Sequence, residues 1–126
     1  STARAADRRA DSVLRGAWVK FERAERDVIA DVRSAVRDVT FRSEALVAAE
    51  KSLGLARRQL EQEEARNKEG LSTNYQVLEV QQRFVESLSN QRQGRAEWAK
   101  AWVNLQRAQG LIEQRTWVSP TDSSDR

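Results

Sequence analysis

Several residue types are missing or scarce in this sequence of 126 residues. Cysteine, histidine and methionine are absent, and there are one proline and five glycines. A chain without cysteine and histidine has no thiol nucleophile, no disulfide, no soft metal ligand and no side chain that ordinarily titrates near neutral pH. We therefore expect no catalytic residue, no cofactor and no metal site, and the chain is predicted not to be an enzyme.

Long apolar stretches are also lacking. No run approaches the roughly 20 residues of a membrane-spanning helix, and no charged-then-apolar leader begins the chain. A mature envelope protein has lost its leader, so this pattern remains compatible with the cell envelope. The absence of cysteine suits both the periplasm and the cytosol and leaves the compartment open.

Charge of both signs is abundant instead. The 22 basic and 19 acidic side chains are interleaved, as in residues 22–27 and 61–66, and no basic block stands out. Such alternation is typical of solvated helix faces with pairs of opposite charge four residues apart. We therefore expect no nucleic-acid partner, although the sequence pI is about 9.8.

Apolar residues recur at steps of three and four between about residues 5 and 69, a stretch without proline. This stripe comprises Leu14, Trp18, Phe21, Val28, Val32, Ala35, Val39, Leu46, Ala49, Leu53, Ala56 and Leu60. A mean step of about 3.5 residues predicts one long helix that supercoils left-handedly around a partner helix. The stripe is interrupted at Glu25 and Arg42. A weaker second contact face is predicted beside it, at Val13, Ala17, Ala24, Val36 and Val47.

Residues 70–73 combine a helix stop and a helix start. Gly70 can adopt the left-handed conformation that ends a helix, with Leu71 folding back toward the preceding turn at Ala65 or Arg66. Thr73 stands three residues before Gln76, the spacing of a capping box. The segment therefore predicts a tight bend between two antiparallel helices.

The second helix is predicted from about residue 74 to residue 109, followed by a stop at Gly110 and a tail at 111–126. Its apolar stripe is expected at Leu78, Val85 or Phe84, Leu88, Trp98, Trp102, Leu105 and Ile112. The predicted fold is all-α: a single domain over residues 1–126 that forms a long antiparallel two-helix coiled-coil hairpin. A bend near residues 71–72 pairs residue i with about 143 minus i, so the first 30 or so residues overhang.

Residues 65–81 resemble the stretch around the periplasmic turn of TolC-like outer-membrane efflux proteins. In that family a glycine, a small hydroxyl residue and a Val-Leu-acidic-x-Gln run recur, and here they correspond to Gly70, Ser72 and residues 77–81. The resemblance covers about residues 25–112. It implies that the hairpin is a fragment of a periplasmic α-barrel.

The resemblance also implies an assembly and partners. In such a homotrimeric channel each protomer contributes two hairpins, and twelve helices form a tunnel beneath an outer-membrane β-barrel that this sequence does not contain. The tip at Gly70, Leu71, Ser72 and Thr73 would dock a periplasmic adaptor protein and, through it, an inner-membrane pump. The expected location is the cell outer membrane, with this segment in the periplasm.

A pore constriction is implied at Gln76 and Glu79, where carboxylates from symmetry-related chains could form a ring. Gln76 falls where many relatives have aspartate, so the charge of this ring would be weaker. An ordinary solvated glutamate is the alternative for Glu79, and a purely structural role is the alternative for Gly70 and Thr73.

A generic coiled-coil scaffold or spacer that mediates protein assembly is the alternative function. Such a scaffold would have the same heptad spacing, the same interleaved charges and the same lack of catalytic residues. Only the residues of the bend distinguish the two interpretations.

Overall fold

The protein is described by a computed structural model that covers residues 1–116, with the side chains of residues 1–112. Helix α1 spans Thr2–Lys68 and helix α2 spans Asn74–Thr116. A short bend at residues 69–73 joins them, and they pack against each other as an antiparallel pair. The prediction of an all-α helical hairpin is confirmed.

Helix α1 is 67 residues long, which corresponds to a rod of about 100 Å at a rise of about 1.5 Å per residue. Its interior contains no proline, and alanine, arginine, glutamate and leucine, all strong helix formers, are frequent along it. Helix α1 begins at Thr2, three residues before the predicted start. A rod of this length cannot close on itself, so its apolar stripe needs another helix.

The two helices meet along what we call the seam, a row of buried and half-buried residues at alternating steps of three and four. On α1 the seam comprises Val28, Val32, Ala35, Val39, Arg42, Leu46, Ala49, Leu53, Ala56, Leu60, Glu63 and Asn67. On α2 it comprises Val77, Val80, Phe84, Ser87, Gln91, Gly94, Trp98, Ala101, Leu105, Ala108 and Ile112. This heptad spacing confirms the predicted coiled-coil contact.

Small residues alternate with large ones across the seam. Ala35, Leu105 and Ala108 form a buried cluster against which Val32 and Val39 pack. Ala35 thus shares a cluster with Leu105 and with Ala108, the residue that the predicted pairing of i with about 143 minus i places opposite it.

Nearer the bend the pairing differs slightly from the predicted register. Gly94 lies over Leu46, and a Cβ at Gly94 would be 3.8 Å from the Leu46 Cδ1 atom. The predicted partner of Gly94 is Ala49, about one helical turn away.

Arg42, predicted as an interruption, lies on the seam. Its guanidinium is 3.3 Å from the carboxylate of Glu97 on α2 and 3.6 Å from that of Asp38 on α1. The long arginine side chain covers the seam with its methylene groups while its charged end stays partly in water. The heptads of α1 therefore continue through this position without a break.

The predicted end of the second helix is wrong. Helix α2 continues through Gly110 to Thr116, so residues 111–116 are helical and do not belong to a tail. Glycine inside a helix costs about 1 kcal/mol relative to alanine. Here Ala108 and Ile112 lie on the seam on either side of Gly110, and their packing on α1 offsets that cost. The remainder of the predicted tail, residues 117–126, lies outside the described residues.

The predicted apolar stripe of α2 is only partly right. Trp98, Leu105, Ile112 and the alternative Phe84 lie on the seam, and Leu88 is half-buried beside it. Leu78, Val85 and Trp102 are exposed. The reason is that α2 carries apolar residues on more than one side, and periodicity alone did not separate the two sets.

An overhang is present, as predicted, and is somewhat shorter than expected. Every residue from 1 to 23 is exposed, and burial begins with half-buried Ala24 and buried Val28. We call residues 2–23 the overhang. The extension of α2 beyond residue 109 explains the difference, because it lengthens the paired part of α1.

Candidate functional site at the hairpin tip

The C-terminus of α1 forms a Schellman motif. Gly70 has φ of 77°, a conformation that side chains other than glycine rarely adopt. The Leu71 N–H donates to the Arg66 carbonyl at 2.8 Å, and the Gly70 N–H donates to the Asn67 carbonyl at 3.0 Å. These two bonds satisfy carbonyls that the helix end would leave unpaired. The predicted role of Gly70 and the predicted reversal at Leu71 are confirmed.

The N-terminus of α2 forms the predicted capping box. The Gln76 N–H donates to the Thr73 Oγ1 at 3.2 Å, and the Thr73 N–H donates to the Gln76 Oε1 at 3.0 Å. The Val77 N–H donates to the Thr73 carbonyl at 3.1 Å, which is the first hydrogen bond of the helix. The two side chains thus accept hydrogen bonds from two backbone N–H groups that the start of the helix would otherwise leave unpaired.

Polar side chains join the two helices across the bend. The Ser72 hydroxyl donates to the Glu63 carboxylate. The Asn67 side-chain amide donates to the Ser72 carbonyl at 3.0 Å and to the Asn74 Oδ1 at 3.3 Å. Arg66 donates to the Leu71 carbonyl at 3.4 Å and lies 3.6 Å from Glu63. These bonds link the end of α1 to the bend and to the start of α2.

The predicted docking residues differ in what they offer a partner. The side chain of Leu71 is exposed, whereas Ser72 and Thr73 use their hydroxyl groups within the bend and Gly70 supplies only backbone. Of the four, Leu71 therefore presents the apolar contact area.

Two further exposed apolar residues follow Leu71 in the chain, and sequence reasoning did not assign them to the tip. Tyr75 is 74% exposed and Leu78 is also exposed, both within the first turns of α2. We call Leu71, Tyr75 and Leu78 the tip patch. One sequence feature could have indicated that Tyr75 is exposed at the tip. It is a large aromatic residue immediately after a helix cap, where no partner helix can cover it.

The predicted constriction residues belong to a continuous polar strip. This polar strip runs along one flank of α2, at heptad positions beside the seam, and comprises Gln76, Glu79, Arg83, Glu86, Asn90, Gln93, Glu97, Lys100, Asn104 and Arg107. Glu79 forms an exposed ion pair with Arg83 at 3.6 Å. Gln76 is uncharged and its Oε1 atom is engaged in the capping box, so of the two predicted constriction residues Glu79 carries the exposed charge.

A different side of α2 carries a second set of apolar and small residues. We call this set the outer stripe; it comprises Tyr75, Leu78, Val85, Ala96, Ala99 and Val103, at heptad positions on the side of α2 away from α1, where the polar residues Gln82, Ser89, Arg92 and Gln106 also lie. Tyr75, Leu78, Val85 and Val103 are exposed large side chains. On α1, Val36 and Val47 of the predicted second face are exposed as well.

Comparison with known proteins does not identify a family. No family model, curated protein or solved structure matches the chain. Within residues 1–116, neither helix contains a stretch that is apolar enough to cross a membrane.

Proposed function

We propose that this chain is the periplasmic hairpin of a TolC-like outer-membrane efflux or secretion channel, where it forms tunnel wall and the tip that docks a periplasmic adaptor protein. Its role is not catalytic. The observation that carries the proposal is the division of α2 into three sides. One side is the seam against α1, one is the outer stripe, and one is the polar strip.

The outer stripe supports a wall of helices. A two-stranded coiled coil buries one stripe per helix and leaves the other sides solvated. A helix within a closed ring contacts a neighbour on each side and therefore needs two stripes. Val85 and Val103, exposed at heptad spacing opposite the seam, provide the second stripe.

The polar strip supports a water-filled lumen. A side of a ring that faces water needs polar residues along its whole length, and this strip extends from Gln76 to Arg107. In a homotrimer, symmetry places copies of Glu79 around the axis close to the tip. Such a ring of carboxylates favours cations at the constriction.

The tip patch supports docking. An apolar patch contributes to binding when its surroundings are held rigid, because little conformational entropy is then lost on association. The hydrogen bonds of Glu63, Asn67 and Ser72 hold the bend in place, and Leu71 and Tyr75 project from it. The proposed partners are an adaptor protein and, through it, an inner-membrane pump, and the proposed location is the outer membrane with this hairpin in the periplasm.

The wall role is tested by lateral association of the chain. Replacement of Val85 and Val103 by lysine puts charge into the outer stripe, so we expect concentration-dependent assembly, measured by sedimentation velocity, to decrease. Lysine at Gln93 and Asn104, exposed residues of the polar strip on the same helix, is the matched control and should have little effect. Equal assembly of both double variants would contradict the wall role.

The docking role is tested by export in cells whose channel carries Leu71→Asp or Tyr75→Asp. We expect adaptor-dependent export to fall while the hairpin stays folded, because a buried unpaired carboxylate is costly at an apolar interface. Leu55→Asp, an exposed α1 leucine remote from the tip, is the control. Normal export by both tip variants would favour the scaffold alternative.

The constriction role is tested with Glu79→Gln in planar bilayers. Loss of a carboxylate ring should reduce the preference for cations over anions. Glu61→Gln removes an exposed carboxylate from α1 and serves as the control. An unchanged reversal potential for Glu79→Gln would identify Glu79 as an ordinary surface glutamate.

A further inference from the structure

One side of α1, within the paired region, carries an exposed aromatic residue that neither the seam nor the tip uses. Phe41 is 62% exposed. It begins a row of exposed residues at alternating steps of four and three, which we call the side stripe: Phe41, Ala45, Ala48 and Ser52. None of these four residues is charged, so another helix can pack on the side stripe without burying a charge.

The side stripe lies on the same flank of the hairpin as the polar strip. Ala45 lines a groove between the two helices together with Asn90 and Gln93 of the polar strip. Heptad geometry puts the side stripe about 100° around α1 from the seam, whereas the outer stripe lies on the side of α2 away from α1. A helix packed on the side stripe therefore curves the wall toward the polar strip, which then lies on the concave side.

We propose that the side stripe packs against the outer stripe of a second copy of this hairpin, with the tips of both copies at the same end. This inference rests on the proposed wall and names the α1 surface that completes it. The contact joins two different surfaces, so each copy keeps one of them free for the next copy. Contacts of this kind continue in one direction around a ring.

Residue size favours one register of this contact. With Phe41 opposite the partner's Ala96, the large ring fills the space that a small side chain leaves. Within one hairpin, the contact of Leu46 with Gly94 makes Phe41 level with Ala99. Ala96 and Ala99 are three residues apart, or about 5 Å along the helix. The tips of the two copies therefore lie at nearly the same height, as a channel with all hairpins in one direction requires.

Charges beside the two stripes favour the same register. Glu44 then lies beside the partner's Arg95, and Arg37 lies beside the partner's Trp102, an exposed ring suited to a cation–π contact. Among residues 1–112, Glu44 has no ion-pair partner in its own hairpin. A shift of one heptad places Lys51 or Arg37 beside the partner's Arg95, depending on its direction. Like charges oppose both shifts.

The first test is the lateral association of Phe41→Glu, measured by sedimentation velocity. We expect association at least about ten-fold weaker than in the parent, because the contact would bury an unpaired carboxylate. Val47→Glu is the matched control and should associate like the parent, since Val47 is an exposed apolar residue on the other flank of α1. Circular dichroism checks that both variants keep the hairpin. Equal association of the two variants would overturn the proposal.

The second test uses the absence of native cysteine. We expect a mixture of Phe41→Cys and Ala96→Cys chains to form a disulfide-linked dimer under mild oxidation, because a disulfide needs Cα atoms within about 7 Å. Each variant alone should form little, since the contact joins different helices. Ser89→Cys lies one heptad from Ala96, about 10 Å along α2, and should link poorly with Phe41→Cys. Efficient linkage of Phe41→Cys with itself, or a preference for Ser89→Cys, would refute this arrangement.

The outcomes separate this inference from the proposed function. Loss of association in the Val85 and Val103 lysine variant, with normal association of Phe41→Glu, would keep the wall and refute the side stripe as its second surface. Loss in both, with normal association of Val47→Glu, would support both. A parent chain that stays monomeric at every concentration would contradict both.

Discussion

The two ends of the hairpin are stabilised in different ways. At the tip, Gly70, Thr73 and Gln76 satisfy the backbone groups of both helix ends through bonds among neighbouring residues. At the opposite end, the overhang of residues 2–23 is helical and its side chains are exposed. The conformation of the tip is thus stabilised by local interactions, whereas the stability of the overhang depends on whether another helix packs against it.

This difference affects how each end responds to substitution. Local hydrogen bonds and φ preferences act within a few residues, so a single change at the tip has a defined cost. A helix without a packed face has only its intrinsic propensity, and most helical stability in proteins comes from packing. Four substitutions separate these contributions, and they are taken from the largest expected effect to the smallest.

Leu105→Ala tests the part of the seam that adjoins the overhang. Leu105 is buried with Ala35 and Ala108, so we expect a loss of about 2–3 kcal/mol in the free energy of unfolding. Urea unfolding followed by circular dichroism measures it. Leu55→Ala, at an exposed position, should change stability by less than about 0.5 kcal/mol. Similar losses in the two variants would mean that the seam is not the main source of stability.

Gly70→Ala tests the conformation of the bend. Because Gly70 has φ of 77°, an added Cβ should destabilise the hairpin by about 1–2 kcal/mol. A Cβ at this position meets no atom within 4 Å, so the cost is one of backbone conformation and not of steric contact. Stability equal to the parent in urea unfolding would contradict a strained left-handed residue here.

Thr73→Ala tests the capping box. Removal of the hydroxyl leaves the Gln76 N–H without its acceptor and should cost about 1 kcal/mol. Thr73→Ser keeps the oxygen and should retain most of the stability. A double-mutant cycle with Gln76→Ala measures the coupling between the two side chains, and a coupling near zero would show that they act independently.

Gly16→Ala tests the overhang. Gly16 lies within α1, and a Cβ there meets no atom within 4 Å, so alanine should raise helix content and stabilise the overhang by up to about 1 kcal/mol. The opposite signs for Gly16→Ala and Gly70→Ala would show the contrast between the two ends. Hydrogen exchange of the overhang amides measures the change.

The bend was predictable from sequence because its interactions are local. Gly70, Thr73 and Gln76 are close in the chain, and their spacing specifies both helix ends. The end of α2 was not predictable in the same way. Glycine is typical of helix ends, and Gly110 therefore predicted a stop. Packing of Ala108 and Ile112 on α1 instead stabilises the helix on both sides of Gly110.

The candidate site was predictable only in part. Leu71 was placed correctly at the tip, whereas Tyr75 was not assigned and Leu78 was assigned to the seam. Val85 was also offered for the seam, with Phe84 as the alternative, and the structure places Phe84 there. Apolar residues one position apart lie about 100° apart on a helix, and only the register with α1 decides which of them is buried.

The sequence by itself determined that this protein consists of two antiparallel helices and where the chain reverses, since heptad spacing, the glycine and the capping box are local properties. The tertiary structure alone decided which side of α2 faces α1, that α2 reaches Thr116, and how much of α1 overhangs. The physical reason is that burial depends on contacts between residues far apart in the chain. Such contacts can outweigh a local preference of about 1 kcal/mol.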